Sequence, residues 1–239
     1  MSRLLFIDLE TTGLEEKDRI CELAVIVEDE KILSLSALCK SSKKISTEAM
    51  AVHHITNEML KQGQACEKTE VFQSLQNNNN EANVLISHNI SFNLHMLEKE
   101  GFSSRMKHID TLRCTKALIN ECGQFSLQFL RYELLLYKDE LQLSKDLGVC
   151  LSSHRALSDA LHVKLLYQTL LEYATLSQLI EISSHPILMQ KFPFGKYKDR
   201  YIEELVNLDR AYLHWMLENI KDMDEDLRYS IKYYLQGEI

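Results

Sequence analysis

Leu4-Leu5-Phe6-Ile7 is apolar at every position and is followed at once by Asp8-Leu9-Glu10. A segment with no polar face fits a strand covered on both sides, so this strand is expected at the centre of a sheet. Side chains alternate along a strand, which puts Asp8 and Glu10 on one face and Leu9 on the other. The two carboxylates come where the apolar run stops and are expected at the sheet's edge. Carboxylates side by side repel unless a cation lies between them. Such hard oxygen donors suit Mg²⁺ or Mn²⁺. For an Asp-x-Glu pair alone, a solvated strand end with two surface acids is an equal reading.

Cys21 to Val27 reads as a second strand, Glu28-Asp29-Glu30-Lys31 as a polar turn, and Ile32 to Leu38 as a third strand returning antiparallel. Thr47 to Leu60 is helical or irregular. Asn77-Asn78-Asn79-Asn80 reads as a solvated loop after a helix. Val84-Leu85-Ile86 forms a fourth strand that ends at Ser87-His88-Asn89. Phe92, His95, Met96 and Lys99 recur at helical spacing until Gly101, and His108-Ile109 is a short strand ending at Asp110. Helices follow to about Ser184, with Leu157, Leu161 and Leu165 on an apolar face that Leu166 and Leu170 widen. The pattern predicts an α/β fold, a mixed sheet covered by helices. His185-Pro186 breaks the helical pattern, dividing a domain of residues 1–180 from a small unit of residues 186–239. In that unit Tyr201, Leu205, Tyr212, Leu213, Trp215, Met216 and Leu217 are expected to form the apolar face, and Met223 to Leu235 a closing helix.

The 239 residues suit one domain plus a small appendage. With two prolines and seven glycines, long disordered linkers are not expected. The net charge of −8 counts against broad duplex binding, yet suits an enzyme that grips a strand end through metal ions. Leu4 to Ile7 meets Asp8 with no cleavage site following, and no apolar stretch is long enough to span a bilayer. The six cysteines contain no C-x-x-C pair and read as reduced, mostly buried thiols. A cytoplasmic protein with no membrane partner is expected.

Asp8-Leu9-Glu10-Thr11-Thr12-Gly13 resembles the first motif of the DnaQ-like, or DEDDh, 3′→5′ exonuclease family. Gly13 permits a tight turn, and backbone N–H groups there can hold a phosphate or a sugar hydroxyl. Val52-His53-His54-Ile55 is similar to the family's V-H-G-I segment, with His54 in place of glycine. Ser87-His88-Asn89-Ile90-Ser91-Phe92-Asn93 resembles A-H-N-x-x-F-D, Asp110-Thr111 resembles a D-T pair, and His154-Arg155-Ala156-Leu157-Ser158-Asp159-Ala160 resembles H-x-A-x-x-D-A. The likeness covers roughly residues 1–175. It implies a ribonuclease-H-like fold and hydrolysis of a terminal phosphodiester with two Mg²⁺ or Mn²⁺ ions. Asp8, Glu10, Asp159 and position 93 then hold metal, and His154 is the general base. Thr11, Thr12, His53, His88, Asn89 and Phe92 are the implied substrate contacts. The implied partner is single-stranded DNA or a DNA 3′ end.

The second motif should end in aspartate, and this chain has Asn93. The amide is neutral and offers one carbonyl acceptor, so a second metal should bind more weakly. Asn93 is then a tolerated variant with Asp110 or water helping, a deliberate inactivating substitution, or the mark of a nuclease-derived binding module. Motifs of this kind do not separate DNA from RNA, which leaves an RNA-trimming enzyme and a non-catalytic polymerase accessory as rivals. No clamp-binding peptide is evident and no polymerase domain is attached, so a stand-alone repair exonuclease is expected, its polymerase or clamp partner unspecified. Residues 191–201 mix four basic residues with four aromatics. That composition suits a surface for stacking bases, or a hairpin whose aromatics fill a very small core. The run Phe192 to Lys198 with Tyr212-Leu213-His214-Trp215 is similar to an uncharacterised domain fused behind such exonucleases, and is expected to help seat the strand.

Overall fold

The structure, a computed structural model, describes residues 2–237. Strands β1 (Leu4–Thr11), β2 (Ile20–Glu28), β3 (Leu33–Leu38), β4 (Val84–Ser87) and β5 (Lys107–Asp110) form one sheet in the order β3-β2-β1-β4-β5. β1 is antiparallel to β2, and β2 to β3, whereas β4 runs parallel to β1 and to β5. The apolar run is thus the central strand, as its composition requires. The helices are α1 (Thr47–His53), α2 (Glu70–Asn77), α3 (Ile90–Lys99), α4 (Thr111–Leu118), α5 (Leu127–Glu133), α6 (Glu140–Leu147), α7 (Ala156–Leu170), α8 (Leu176–Ser184), α9 (Ile202–Leu208), α10 (Arg210–Asn219) and α11 (Glu225–Gln236).

Alternation along β1 supplies two cores. Leu5, Ile7 and Leu9 pack with Val71, Phe72 and Leu75 of α2 and with Ile90, Met96 and Leu97 of α3. Phe6 faces the opposite layer, against Leu161, Leu165, Leu166 and Leu170 of α7 and Leu179 of α8. Leu157, predicted on that face, is half-buried. Helix α7 is buried nearly all round, and even Lys164 is 3% exposed. Its ammonium group pairs with Glu28 and lies 4.9 Å from the Phe6 ring centre.

One expectation about β1 is corrected. As expected, the strand carries both acids; it runs to Thr11, with Asp8 opposite Ala24 and Glu10 opposite Glu22 on β2. Pairing with β4 ends earlier, at Phe6 and Ile86. The carboxylates therefore lie within the central strand, past the end of β4, and not at the sheet's edge.

The asparagine run is a second correction. Asn78 and Asn79 are buried. Asn78 Oδ1 accepts from Arg3, while Asn79 accepts from the Arg105 N–H and donates to the Ser103 carbonyl. These two amides tie the end of α2 to the starts of β1 and β5, while Asn77 and Asn80 on either side are exposed as expected.

Beyond Ser184, Phe192, Ile202, Leu205, Leu213, Met216, Leu227 and Ile231 form a small core of their own. Tyr201 and Trp215, assigned above to its apolar face, are instead 47% and 52% exposed, and Tyr212 and Leu217 are half-buried. Lys191 and Tyr201 pair as an antiparallel bridge. The unit is fastened to the rest through Arg113, whose guanidinium grips both Asp226 oxygens at 2.9 Å and donates to the His185 carbonyl. Asp226 also accepts from the Ile187 N–H. All six cysteines are free thiols: four are buried, Cys122 is half-buried and Cys150 is exposed. Among the described residues, no helix is long and apolar enough to cross a membrane.

Asn79→Ala leaves the Arg105 N–H and the Ser103 carbonyl without their partner. A loss of about 1–3 kcal/mol is expected in urea unfolding, with an unchanged slope.

Candidate active site

Asp8 and Glu10 point to the same side as Phe6, toward α7. The first turn of α7 carries Asp159. Oxygens of Asp8, Glu10 and Asp159 all lie within 4.8 Å of one another. Three carboxylates so close destabilise one another when charged. The Asp8 carboxyl is pushed well above the usual carboxylate range, first by burial and then by Asp159, Glu10 and Glu22. Burial, Asp159 and Glu22 raise Glu10 from its ordinary 4.5 to about 8. A hard divalent cation would relieve this repulsion, and the all-oxygen donor set fits Mg²⁺ or Mn²⁺.

Glu22 is a residue that motif reasoning missed. It lies beside Glu10 on β2 and is 3% exposed. Arg155 grips both its oxygens, at distances from 2.5 to 3.2 Å, and the Ala156 N–H donates to it at 3.0 Å. A carboxylate accepting at the first turn of α7 serves as that helix's cap from another strand. Glu22 thus docks the start of α7 onto β2 and carries Asp159 to Asp8. A lone acid within an otherwise apolar strand was the available signal. Gln128 was missed too; its Nε2 donates to Asp159 Oδ1 at 2.6 Å.

Asn93 sits on α3 and is 3% exposed. Its Nδ2 donates to the Ser87 hydroxyl and, at 3.5 Å, to the His88 carbonyl. Its Oδ1 takes no donor among the described residues. Asp110 does not stand in for a missing carboxylate. It is 2% exposed and accepts from the N–H groups of Asn89, Ile90, Leu112 and Arg113. It caps α4 and holds the start of α3, with both oxygens occupied.

Several implied substrate contacts are engaged inside the protein. Thr12 is fully buried, donating to Asp18 at 2.6 Å and accepting from the Arg19 N–H. Its own N–H donates to the Arg19 carbonyl, so it is not free for a phosphate. Thr11 is buried and donates to the Gly13 carbonyl. Gly13 is required because a Cβ there would meet Asp18 Oδ2 at 2.7 Å. Leu14, next along the turn, is 88% exposed.

His53 is 2% exposed, and burial lowers its basicity. Its Nδ1 accepts from the Ile55 N–H at 3.0 Å, so Nε2–H donates to the Thr11 carbonyl. His54 takes the left-handed conformation that closes α1, with φ of 60°, where the family's glycine would stand. His88 is half-buried, and burial lowers its basicity. Its Nε2 donates to the Phe125 carbonyl at 2.8 Å, leaving Nδ1 to accept from Thr111. His53 and His88 therefore have no ring nitrogen free for a nucleotide. In this structure the side chains of Thr12, His53 and His88 are bonded within the protein and brace the backbone around the carboxylates.

Asn89 is exposed, at φ of 63°, and Phe92 is half-buried against the α2–α3 core. His154 lies in the loop before α7, half-exposed, with φ of 51° and no hydrogen bond among the described residues. A left-handed histidine is uncommon and turns the chain just before α7.

A mixed sheet carrying acids from its central strand and from the helix across it defines a class that comparison identifies. The profile described as Exonuclease matches residues 5–167, and the chain belongs to that family. A second profile, Exodeoxyribonuclease X-like C-terminal, matches residues 192–221. Over 240 residues the chain is 30% identical to Exodeoxyribonuclease 10 of Escherichia coli strain K12, covering 98% of this chain and 99% of the relative. Among solved structures, Exonuclease X in complex with 5′ overhanging duplex DNA is similar with a TM-score of 0.57 and 24% identity, over 77% of this chain and 99% of that one. E. coli Exonuclease I in complex with a dA16 oligonucleotide has a TM-score of 0.53 and 17% identity, over 76% and 42%. The ribonuclease-H-like class expected from the motifs is the fold these neighbours share.

Glu10 keeps its proton up to about pH 8 in the folded, metal-free protein, whereas the unfolded chain releases it near 4.5. The folded state then holds more protons across that window, so stability falls as pH rises through it. Glu10→Gln removes this dependence. In EDTA at pH 8.5 its Tm should exceed wild type by at least about 2–4 °C, the shift for about 1 kcal/mol in a chain of this size. The difference should vanish near pH 4.5.

Proposed function

We propose that the chain is a DNA exonuclease that releases mononucleotides from a 3′ end with two Mg²⁺ or Mn²⁺ ions. The observation that carries this reading is the convergence of Asp8, Glu10 and Asp159 in an exonuclease-family fold. Asp8 would be shared by both ions, Glu10 and Asp159 would complete one site, and Asn93 Oδ1 would face the other. When bound, the ions supply Lewis acidity toward the phosphoryl oxygens and the attacking water. His154, which makes no hydrogen bond among the described residues, accepts the proton of that water as general base. The water oxygen bonds to phosphorus as the bond from phosphorus to the penultimate O3′ breaks. That oxygen takes a proton from solvent, giving a 5′-mononucleotide and a shortened strand with a 3′-hydroxyl. Asn89 and Phe92 remain candidates to contact the terminal nucleotide, whereas Thr11 supports the turn. The name of the 30% identical relative favours DNA over RNA.

The separate core beyond Ser184 supports a division into a nuclease domain of residues 1–180 and an accessory unit of residues 186–239. Phe194, Tyr201 and Trp215 are exposed there beside Lys191, Lys198 and Arg200. Aromatic faces and basic groups together suit a single strand, and this unit is proposed to help seat it.

A 3′-labelled single strand should lose labelled mononucleotide in the presence of Mg²⁺ or Mn²⁺. Asn93→Asp should raise the rate and lower the Mg²⁺ needed, although the new carboxylate would lose the bond to the His88 carbonyl. Digestion by neither protein would end the enzyme reading, and faster digestion of RNA would end the DNA reading. Trp215→Ala should weaken single-strand affinity by about 1–3 kcal/mol, the worth of one stacked base, with Tm unchanged. Unaltered affinity would count against the seating role.

A further inference from the structure

The polar side chains behind Asp159 form a closed set of contacts, in which His162 lies between two carboxylates and a neutral imidazole donates to one of them. Gln128 on α5 donates to Asp159 Oδ1 at 2.6 Å, and its own Oε1 accepts from an Arg131 terminal nitrogen at 3.3 Å. Arg131 Nε and its other terminal nitrogen grip the two Glu140 oxygens at 2.6 Å each. Glu140 Oε2 lies 3.1 Å from His162 Nε2, and His162 Nδ1 lies 3.4 Å from Asp159 Oδ1. Helices α5, α6 and α7 are thereby joined in one ring of side chains, of which Asp159, His162 and Glu140 are buried.

The ring has a direction. An amide can present either its oxygen or its NH₂ group to a neighbour, and Arg131 has only donors. Arg131 therefore holds the Gln128 oxygen on its own side and turns the NH₂ group toward Asp159. The planar fork fits the Glu140 carboxylate with both nitrogens, which fixes Arg131 in turn. Gln128 and His162 both converge on Asp159 Oδ1. Oδ2 takes no donor among the described residues.

We propose that Gln128 and Arg131 are positioning residues of the cation site. They lock the Asp159 carboxylate in the orientation that meets Asp8 and Glu10, and so set divalent-cation affinity without touching the ion. This rests on Asp159 being a cation ligand, as proposed above. Groups that orient a metal ligand are commonly worth about 10–100-fold in metal affinity or activity.

The test is Mn²⁺ binding to the full chain without DNA, read from the free-ion signal in electron paramagnetic resonance. Asp159→Asn should abolish tight binding. Gln128→Leu and Arg131→Met should each weaken it by about tenfold or more. The double variant should be no weaker than about the poorer single one, because the ring opens only once. Arg131→Lys keeps the charge but not the fork, and should stay weak. Both residues are half-buried on α5, so circular dichroism should show folded variants. If Arg131→Met does not fold, Gln128→Leu decides. Wild-type affinity in Gln128→Leu, with binding lost in Asp159→Asn, overturns the ring proposal and leaves the cation reading standing. Full affinity in Arg131→Lys also overturns it, since charge alone would then suffice. Wild-type binding by Asp159→Asn overturns both.

Discussion

Confinement of Asp8, Glu10 and Asp159 in one place, where they repel one another whenever they are charged together, is the constraint around which this fold is arranged. Carboxylates confined within 4.8 Å do not stay together by their own chemistry, so the scaffold must oppose their separation. Two of them cannot part because they share one strand, paired to β2 through its carboxylate-bearing half. The third is held by the placement of α7. Phe6 and the leucines of α7 pack that helix on the sheet, while Glu22 and Arg155 fasten its first turn. Burying Glu22 would be costly in isolation. Bidentate pairing with Arg155 and the Ala156 N–H offset that cost and add directional docking.

The legible part of the fold was the part governed by local periodicity. The unbroken apolar run located the central strand, and period-two alternation placed Asp8 and Glu10 on a common face, because both are properties of neighbouring residues. The helix carrying Asp159 came from motif resemblance and spacing. Less legible were pairings between residues far apart in the chain. Asn78 and Asn79 read as solvated because their composition is polar, yet their partners Arg3, Ser103 and Arg105 lie 24 to 75 residues away. Thr12, His53 and His88 look like ligand-facing groups in a motif, and only three-dimensional bonding shows their polar atoms already taken. Tyr201 and Trp215 counted as core because they are large and aromatic, but the small unit fills its interior with the expected Leu205, Leu213 and Met216 together with Phe192 and Ile202.

The second motif illustrates how one position can serve two demands. Asn93 uses its NH₂ group on Ser87 and His88, bracing the turn between β4 and α3, and leaves its carbonyl oxygen unclaimed. An aspartate could offer more charge at that oxygen, but it would set an acceptor against the His88 carbonyl. The same turn is held from below by Asp110, through the N–H groups of Asn89 and Ile90. The charge available to a cation at position 93 depends directly on which of the two residues stands there.

Arg113 gives this architecture an order of completion. It stands in the first turn of α4, which Asp110 caps, and its two terminal nitrogens donate to Asp226 on α11. During synthesis α4 is made more than a hundred residues before that partner emerges. Until then the guanidinium has water and, once residue 185 is made, the His185 carbonyl, and the sheet and its carboxylates can assemble without Asp226. The small unit then closes the molecule as a latch on the helix turn that also anchors the second motif, so a nascent chain shorn of that unit would carry the acids but not the final fastening beside them.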